Sequence, residues 1–535
     1  MKIKYISVIA LGLTVGCTKL DQSLNDAFER NANTGGTADV PALLTSAYNS
    51  MTGLMHSQDL LFSLQETVTD EALIPVRGGD WDDNGVWRVL HAHTWTPIHT
   101  QFKSVFNGLG GIGSGANTVL AFNPNQTQRA EALFLRSLCM FYYLDMWGQV
   151  PYRSVADYNG IGPAQVLQPA AAIDTIVTVL TDIIDDLPES NAPYKASPNA
   201  ARFLLMKVLL NKGAFLSKGE TFQQPVFEDA DMQRVIQLGN EIISSGDYSL
   251  TPNYFDNFGP NNATSGKEAI LSWPNTGAAQ DGEGRNAGGI NARWMMTLHY
   301  NSWDQKNGSA GWNGFSTMAD FYNTFEANDT RVGGQPYSGV TDVSGLKPGF
   351  AVGLQKDKDG NALKDRQGND LSFTEDVKLI ETDGSRLEVA GIRVIKYPPD
   401  YSAYDGGNQR NQLQIFRYAD VLLMIAEAHM RKAAPDNSAA LTIINDLRDA
   451  RGADPLGSIT LVNESNVADP GTLLAERGRE LYWESWRRQD LIRFGVFLKA
   501  WSLKNADADP VRNLLYPIAP DELLANPNLK QNPGY

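Results

Sequence analysis

Seven of the eleven tryptophans gather in two stretches: Trp81, Trp87 and Trp95 in one, and Trp273, Trp294, Trp303 and Trp312 in the other. Beside them stand Asp70, Arg77, Asp80, Asp82, Asp83, Asn84, Asn291, Arg293, Tyr300, Asn301, Asp304 and Asn313. Flat apolar faces next to planar hydrogen-bonding groups suit a pyranose. Its C–H face stacks on an indole, and its rim of hydroxyls takes bidentate amide, carboxylate or guanidinium partners. The competing reading is a lobe poor in aliphatics that uses these indoles as its core, since Trp is mostly buried in folded proteins. The concentration of Asp, Asn and Arg around them favours a binding surface.

Other chemistries find less support. His91, His93 and His99 lie within nine residues, but no His-Glu-x-x-His accompanies them, so hydrogen bonding within an aromatic loop is preferred to a metal site. Gly111-Ile112-Gly113-Ser114-Gly115 faintly resembles a phosphate loop. It follows the helical stripe Phe102, Val105, Phe106 and Leu109 rather than a strand, and it lacks the P-loop Lys, so it reads as a flexible helix junction. Asp357, Asp359 and Asn361 alternate as calcium ligands would, yet Ala362 replaces the glycine of an EF-hand loop, and the expectation is no cofactor, with structural calcium as the alternative. No Gly-x-Ser-x-Gly elbow or Cys/His pairing marks a nucleophile. Paired carboxylates about 5–10 Å apart, as in glycoside hydrolysis, are a property of the fold that sequence does not reveal.

The elements that must position these groups are mainly helical. Ile173, Ile176, Val177, Leu180, Ile183, Ile184 and Leu187 form one helix face, stopped by Pro188. Leu135, Leu138, Cys139, Tyr142 and Met146 repeat the pattern, which makes Cys139 a buried small hydrophobe. Ser197-Pro198 reads as N-cap and N1 of a further helix with Ala201, Leu205, Val208 and Leu209 inside, and Val235, Leu238, Gly239 and Ile242 continue the series. A second helical block holds Ile415, Tyr418, Leu422 and Ile425, then Ala440, Ile443, Ile444 and Leu447, then a helix from about Thr472 to Asp490. Helix, short link and second helix suggest tetratricopeptide-like pairs, without the repeat consensus. From about Gly246 to Gln409 the periodicity gives way to Gly, Asn and aromatics, a loop-rich lobe with short strands. Asp359-Gly360-Asn361 and Gln367-Gly368-Asn369 are hairpin-type turns within it.

Composition sets the outer limits. The 535 residues carry 45 Lys+Arg against 61 Asp+Glu, a formal charge of −16, with 42% hydrophobic residues. That is a globular chain of several lobes, not a disordered or fibrous one, and its acidic balance without a Lys/Arg run argues against nucleic acid. Lys2 and Lys4, the apolar stretch Tyr5–Val15 and Gly16-Cys17 look like a bacterial lipoprotein signal, with cleavage before Cys17 leaving a lipidated N-terminus. Thr14 stands where Leu is usual, and the alternative is an ordinary secretory signal. No later stretch reaches the roughly 18 apolar residues of a membrane span.

Several blocks in order carry a resemblance. Phe416-Arg417-Tyr418-Ala419-Asp420 through Ala428, Ile444-Asn445-Asp446-Leu447-Arg448, Glu476-Arg477-Gly478-Arg479-Glu480-Leu481, Asp490-Leu491-Ile492-Arg493-Phe494-Gly495 and the terminal Asn526 to Tyr535 resemble the SusD/RagB family. Glu131 to Arg136 and Tyr143 to Pro151 agree with it in the N-terminal half. The resemblance implies a mainly α fold, a tetratricopeptide-like helical-pair scaffold with an inserted loop-rich lobe containing short strands, and no catalysis. Its division would be a signal peptide at 1–16, helical regions at 17–245 and 411–535, and a ligand-binding lobe at 246–410. It further implies a surface-exposed outer-membrane lipoprotein, lipidated at Cys17, that captures oligo- or polysaccharide and delivers it to a SusC-like TonB-dependent transporter. By likeness to the starch-binding type, Asp70, Arg77 and Trp95 would touch ligand, with Tyr300 and Trp312 from the second lobe; another glycan would use Trp81, Trp294 or Trp303. The alternatives are a secreted glycoside hydrolase, a structural or adhesive surface lipoprotein, and a surface lipoprotein with a non-glycan ligand.

Overall fold

Apolar residues at helical spacing need a partner face, and here consecutive helices supply it to one another. The computed structural model describes residues 38–158, 160–189, 193–219, 224–286, 292–302, 311–335, 345–401 and 409–535. Val40–Asn49 packs on Thr100–Ala121, followed in the stack by Gln126–Trp147, Pro169–Ile183, Pro198–Ser217 and Asp229–Ser245. The next neighbour of Asp229–Ser245 is Tyr418–Arg431, on which Asn437–Ala450 packs. The lobe at 246–417 is therefore inserted into a continuous helical stack. Local signals set the helix starts. Ser197 accepts the Ala200 N–H at 3.2 Å ahead of Pro198, and Asn125 and Gln128 cap Gln126–Trp147 reciprocally. The periodic stripe at Ile173 to Leu187 becomes the Pro169–Ile183 helix, extended by a 3-10 turn at Ile184–Asp186.

Three expected boundaries move. The glycines 111–115 are not a junction but lie inside the unbroken Thr100–Ala121 helix. Packing explains them: a Cβ at Gly115 would stand 3.1 Å from the Ala47 Cα, and one at Gly113 would stand 3.3 Å from the Cys139 Sγ, so their absence lets both neighbouring helices close in. Ile415 belongs to the strand Leu413–Arg417, which pairs antiparallel with Ala269–Trp273, and the helix starts only at Tyr418. The helix expected over 472–490 is two, Leu473–Leu481 and Arg487–Arg493, broken where Trp483 (φ 59°) and Ser485 (φ 70°) turn left-handed. Among the described residues the strands pair only two by two, so there is no continuous sheet.

Lobe and scaffold are joined by buried charge. Leu473–Leu481 is buried along its whole length although it carries Glu476, Arg477, Arg479 and Glu480. Glu480 lies 2.6 Å from Arg417, 2.8 Å from Arg451 and 3.1 Å from Arg331. Glu268 faces Arg417 at 2.7 Å and Arg451 at 2.8 Å. Glu476 meets Arg331 at 2.7 Å and Arg448 at 2.8 Å. Burial opposes ionisation, but Arg451, Arg417 and Arg331 outweigh it and hold the Glu480 carboxyl far below its ordinary range.

Glu66 and Glu71 are buried carboxyls as well. Glu66 accepts the Ser485 N–H at 2.5 Å and the Trp486 N–H at 3.2 Å. Burial pushes the Glu66 carboxyl up to about 8 against an ordinary 4.5. The folded state thus keeps a proton that the unfolded chain releases, and the stability this contributes is lost as pH rises toward 8. His91 and His299, buried and held down to about 4, titrate on unfolding only below about 6.5. The urea midpoint should therefore fall between about pH 6.5 and 8, and Glu66→Gln should flatten that slope; an unchanged slope in the variant refutes the assignment.

Candidate functional site

The site is built on a tight turn whose backbone only a supported structure could hold. Val76–Arg77 pairs parallel with Ile380–Glu381, and the chain then reverses, with the Arg77 N–H donating to the Asp80 carbonyl at 2.9 Å. Trp81 (φ 62°), Asp83 (φ 39°) and Asn84 (φ 56°) follow in left-handed geometry. That geometry is a genuine outlier for a bulky residue, and each such residue costs about 1–3 kcal/mol. Two side-chain bonds anchor the turn: Trp87 Nε1 donates to Asp83 Oδ2 at 2.6 Å, and Arg88 meets Asp82 at 2.6 Å.

Trp81 is fixed from several sides. Its indole packs edge-on against Trp87 and Phe315, with centroids 6.2 and 5.8 Å away. Its Nε1 donates to the Trp312 carbonyl at 2.8 Å. A Cβ on Gly314 would come within 2.3 Å of the ring, so glycine there is what lets the indole lie against the backbone. The 312–315 strip is tied to 295–298, with the Trp312 N–H on the Met295 carbonyl at 2.6 Å and the Asn313 N–H on the Leu298 carbonyl at 2.8 Å. Beneath it Asn313 accepts Arg393 Nη2 at 2.7 Å. The Trp312 side chain, 47% exposed, stands out of this frame.

Tyr300 completes the platform. Its hydroxyl donates to Asp80 Oδ2 at 2.8 Å, and the Arg366 guanidinium lies over its ring, 3.8 Å from the centroid. Arg366 Nε donates to Glu388 Oε1 at 2.6 Å and its backbone N–H to Glu388 Oε2 at 3.0 Å. His299 Nε2 is 2.7 Å from the same Oε2, while its Nδ1 accepts the Asn301 N–H at 3.0 Å, so the ring is the neutral Nε2–H tautomer. Burial opposes ionisation of Glu388, but Arg366 and His299 overcome it and hold the carboxyl below its usual range. Burial, with Asp80 as acceptor, pushes the Tyr300 hydroxyl up to about 12. Aromatics, a carboxylate and a planar guanidinium thus gather around the 80–81 turn, an arrangement that can stack a ring and hydrogen-bond its rim.

The sequence-derived residues divide. Trp81, Tyr300 and Trp312 come together at this platform. Asp70, Arg77 and Trp95 do not, and their assignment to a ligand is corrected. Asp70 is buried in a bidentate pair with Arg487 at 2.6 and 2.7 Å. Arg77 is sealed, donating to the carbonyls of Leu387 and Ala390 and to Ser316 Oγ. Trp95 is 1% exposed, with Nε1 on the Tyr535 hydroxyl at 2.5 Å. Trp95→Ala should lower unfolding stability by about 3–5 kcal/mol through the cavity it leaves, read as a drop in the urea midpoint. Trp303, the Trp294 side chain and the lipidation candidate Cys17 lie outside the described residues. The three histidines face acceptors of the protein itself: His91 lies between the Ala72 and Ser502 carbonyls, His93 between Asp507 and the Val68 carbonyl, and His99 Nε2 faces the Val86 carbonyl. Asp357 is a turn former, with Oδ1 taking the Asp359 and Asn361 N–H groups and Oδ2 taking Asn361 Nδ2.

Sequence reasoning passed over Arg366 and Glu388. A signal for Arg366 was present: Lys356–Leu363 and Lys364–Leu371 are a tandem octapeptide, Lys-Asp-x-x-Gly-Asn-x-Leu. Each copy closes a hairpin by the same Asp-to-Asn turn. The second hairpin carries Arg366 to Tyr300 and presents the Lys364 carbonyl to Asn301 Nδ2 at 2.8 Å.

The pattern of the SusD family matches residues 240–535, more than half of the chain. The chain belongs to the SusD family. Its members bind carbohydrate and are not enzymes, so the hydrolase alternative is set aside. Over the full length of both proteins, the chain is 25% identical to the starch-binding protein SusD of Bacteroides thetaiotaomicron. Its fold matches a SusD superfamily protein from Parabacteroides distasonis with a TM-score of 0.66 at 19% identity, covering 93% of this chain and 98% of the other. A laminarin-binding SusD-like protein matches with a TM-score of 0.64 at 19% identity, covering 93% and 99%. Among the described residues no helix is long and apolar enough to cross a membrane.

Proposed function

We propose that this SusD family member is a cell-surface lipoprotein, anchored through Cys17 to the outer membrane. It captures an oligo- or polysaccharide on the Trp81–Tyr300–Trp312 platform and passes it to a TonB-dependent transporter. The observation that carries the reading is the pre-set platform itself. Left-handed backbone at Trp81, Asp83 and Asn84, a glycine under the indole and a carboxylate–guanidinium pair at Tyr300 hold a half-buried Trp81 and Tyr300 beside an exposed Trp312. The relatives named for starch and laminarin support a carbohydrate ligand, and the signal-like N-terminus supports export and anchoring. Such a shallow, wet surface gives weak single-site affinity, which repeated engagement along a polymer raises. The test is tryptophan fluorescence of a form beginning at Thr18, titrated with starch, fructan, xylan, mannan, pectin and host glycans, with product analysis of each sample. Saturable binding to one class without cleavage supports capture. Silence across the panel overturns it in favour of a non-glycan ligand.

A further inference from the structure

The charges around the platform name the class of glycan, an inference that rests on the reading above. The exposed guanidinium of the platform, Arg366, is 52% exposed and sits over the Tyr300 ring, 3.8 Å from its centroid. Its charge is already matched: Nε and the backbone N–H both end on Glu388, and Nη2 stands 3.7 Å from Asp80. The other cation at the turn, Arg88, is matched by Asp82. Asp80 and Asp83 add acceptors, and Asp80 is held toward the surface by the Tyr300 hydroxyl. Two more guanidiniums, Arg77 and Arg393, lie beneath, sealed and turned onto backbone carbonyls, Ser316 and Asn313, where a ligand cannot reach them. Among the described residues the platform therefore offers a ligand no exposed cation without a carboxylate. A uronate or sulfate would have to pull Arg366 from Glu388 and settle beside Asp80. A neutral sugar needs neither, because an ion-paired guanidinium still directs N–H groups at vicinal hydroxyls in a fixed fork.

We propose that Arg366 is a specificity-determining residue, that it holds an uncharged glycan against Tyr300, and that Glu388 and Asp80 exclude anionic chains. The Arg366 fork does the selecting, and its two carboxylates set the sign of what it selects.

The test compares the neutral polysaccharide found to bind with its own lightly carboxymethylated derivative, by isothermal titration at 20 and 300 mM NaCl. The wild-type protein should bind the neutral chain with little dependence on salt and the carboxymethylated chain at least tenfold more weakly. Glu388→Gln should narrow that ratio to threefold or less by tightening the anionic chain, now in a salt-dependent way. Asp80→Asn, at an exposed position, should shift the ratio in the same direction and serves if the Glu388 variant folds poorly. Arg366→Lys should weaken neutral binding at least fivefold, since an ammonium has no planar fork. Equal wild-type affinity for the two chains, or carboxylate variants with an unaltered ratio, overturns the inference while leaving glycan capture intact. Failure of every glycan to bind the wild-type protein overturns the capture reading, and this inference with it.

Discussion

Glu480→Ala is expected to lower unfolding stability by about 3–5 kcal/mol, the usual cost of removing one partner from a buried ionic cluster. The carboxylate sits among Arg417, Arg451 and Arg331, all essentially without solvent exposure. Its loss leaves Arg331 with Asp329 and Glu476, and asks Glu268 alone to balance Arg451. Because Arg331 and Arg417 belong to the inserted lobe and Arg451 to the returning scaffold, the damage should reach the lobe's seating and not stay in one helix. Urea unfolding checks this: the midpoint should drop sharply, and raising salt should not mask the loss, since buried pairs are little screened. Asp521→Asn, which breaks the exposed contact with Lys103, is the control and should leave the midpoint where it was. A Glu480→Ala protein as stable as wild type would show that the cluster is solvated and does not lock the lobe.

The helices of the scaffold were legible because their signals are local. A stripe such as Ile173 to Leu180, a stop at Pro188 and a cap at Ser197 act within a few residues of themselves. Misreadings arose where distant partners decide. Trp483 and Ser485 break a good helical pattern because Glu66 takes the Ser485 and Trp486 N–H groups, and Lys396 takes the Tyr482 carbonyl at 2.6 Å. The glycines at 111–115 look like a breaker until Ala47 and Cys139 are seen pressing on that face. The tryptophans teach the same lesson within the site. Trp81 and Trp95 share a segment and the same kind of neighbours, yet Trp95 is closed over by Tyr535, 440 residues away, whereas Trp81 supports an open edge. The family likeness pointed to Asp70 and Arg77 as ligand contacts; their partners, Arg487 in one case and the 387–390 carbonyls and Ser316 in the other, are fixed by the tertiary fold. Arg366 was hidden differently, in a repeat whose turns were recognised but whose reach depends on how the hairpins sit.

Trp312→Ala should weaken glycan binding about ten- to thirtyfold, some 1.4–2 kcal/mol, as expected for truncating an aromatic anchor at the centre of a contact. The urea midpoint should stay unchanged, because this indole is 47% exposed and the bond that matters for the frame comes from the Trp312 backbone carbonyl, which alanine retains. Trp81→Ala should differ in kind. Its ring fills the space over Gly314 and against Trp87 and Phe315, so its removal should lose binding and stability together. Binding lost without stability in Trp312→Ala separates a binding platform from an aromatic core, since a core residue acts on ligand only through the fold. Titration of the two variants with the same short oligosaccharide, beside their urea curves, gives the answer. Binding by Trp312→Ala at wild-type strength would move the platform away from this edge. Repeating the titration with the polymer should show a smaller loss than with the oligosaccharide, because a long chain rebinds before it diffuses away, and that difference in penalty is what a surface built for weak, repeated capture requires.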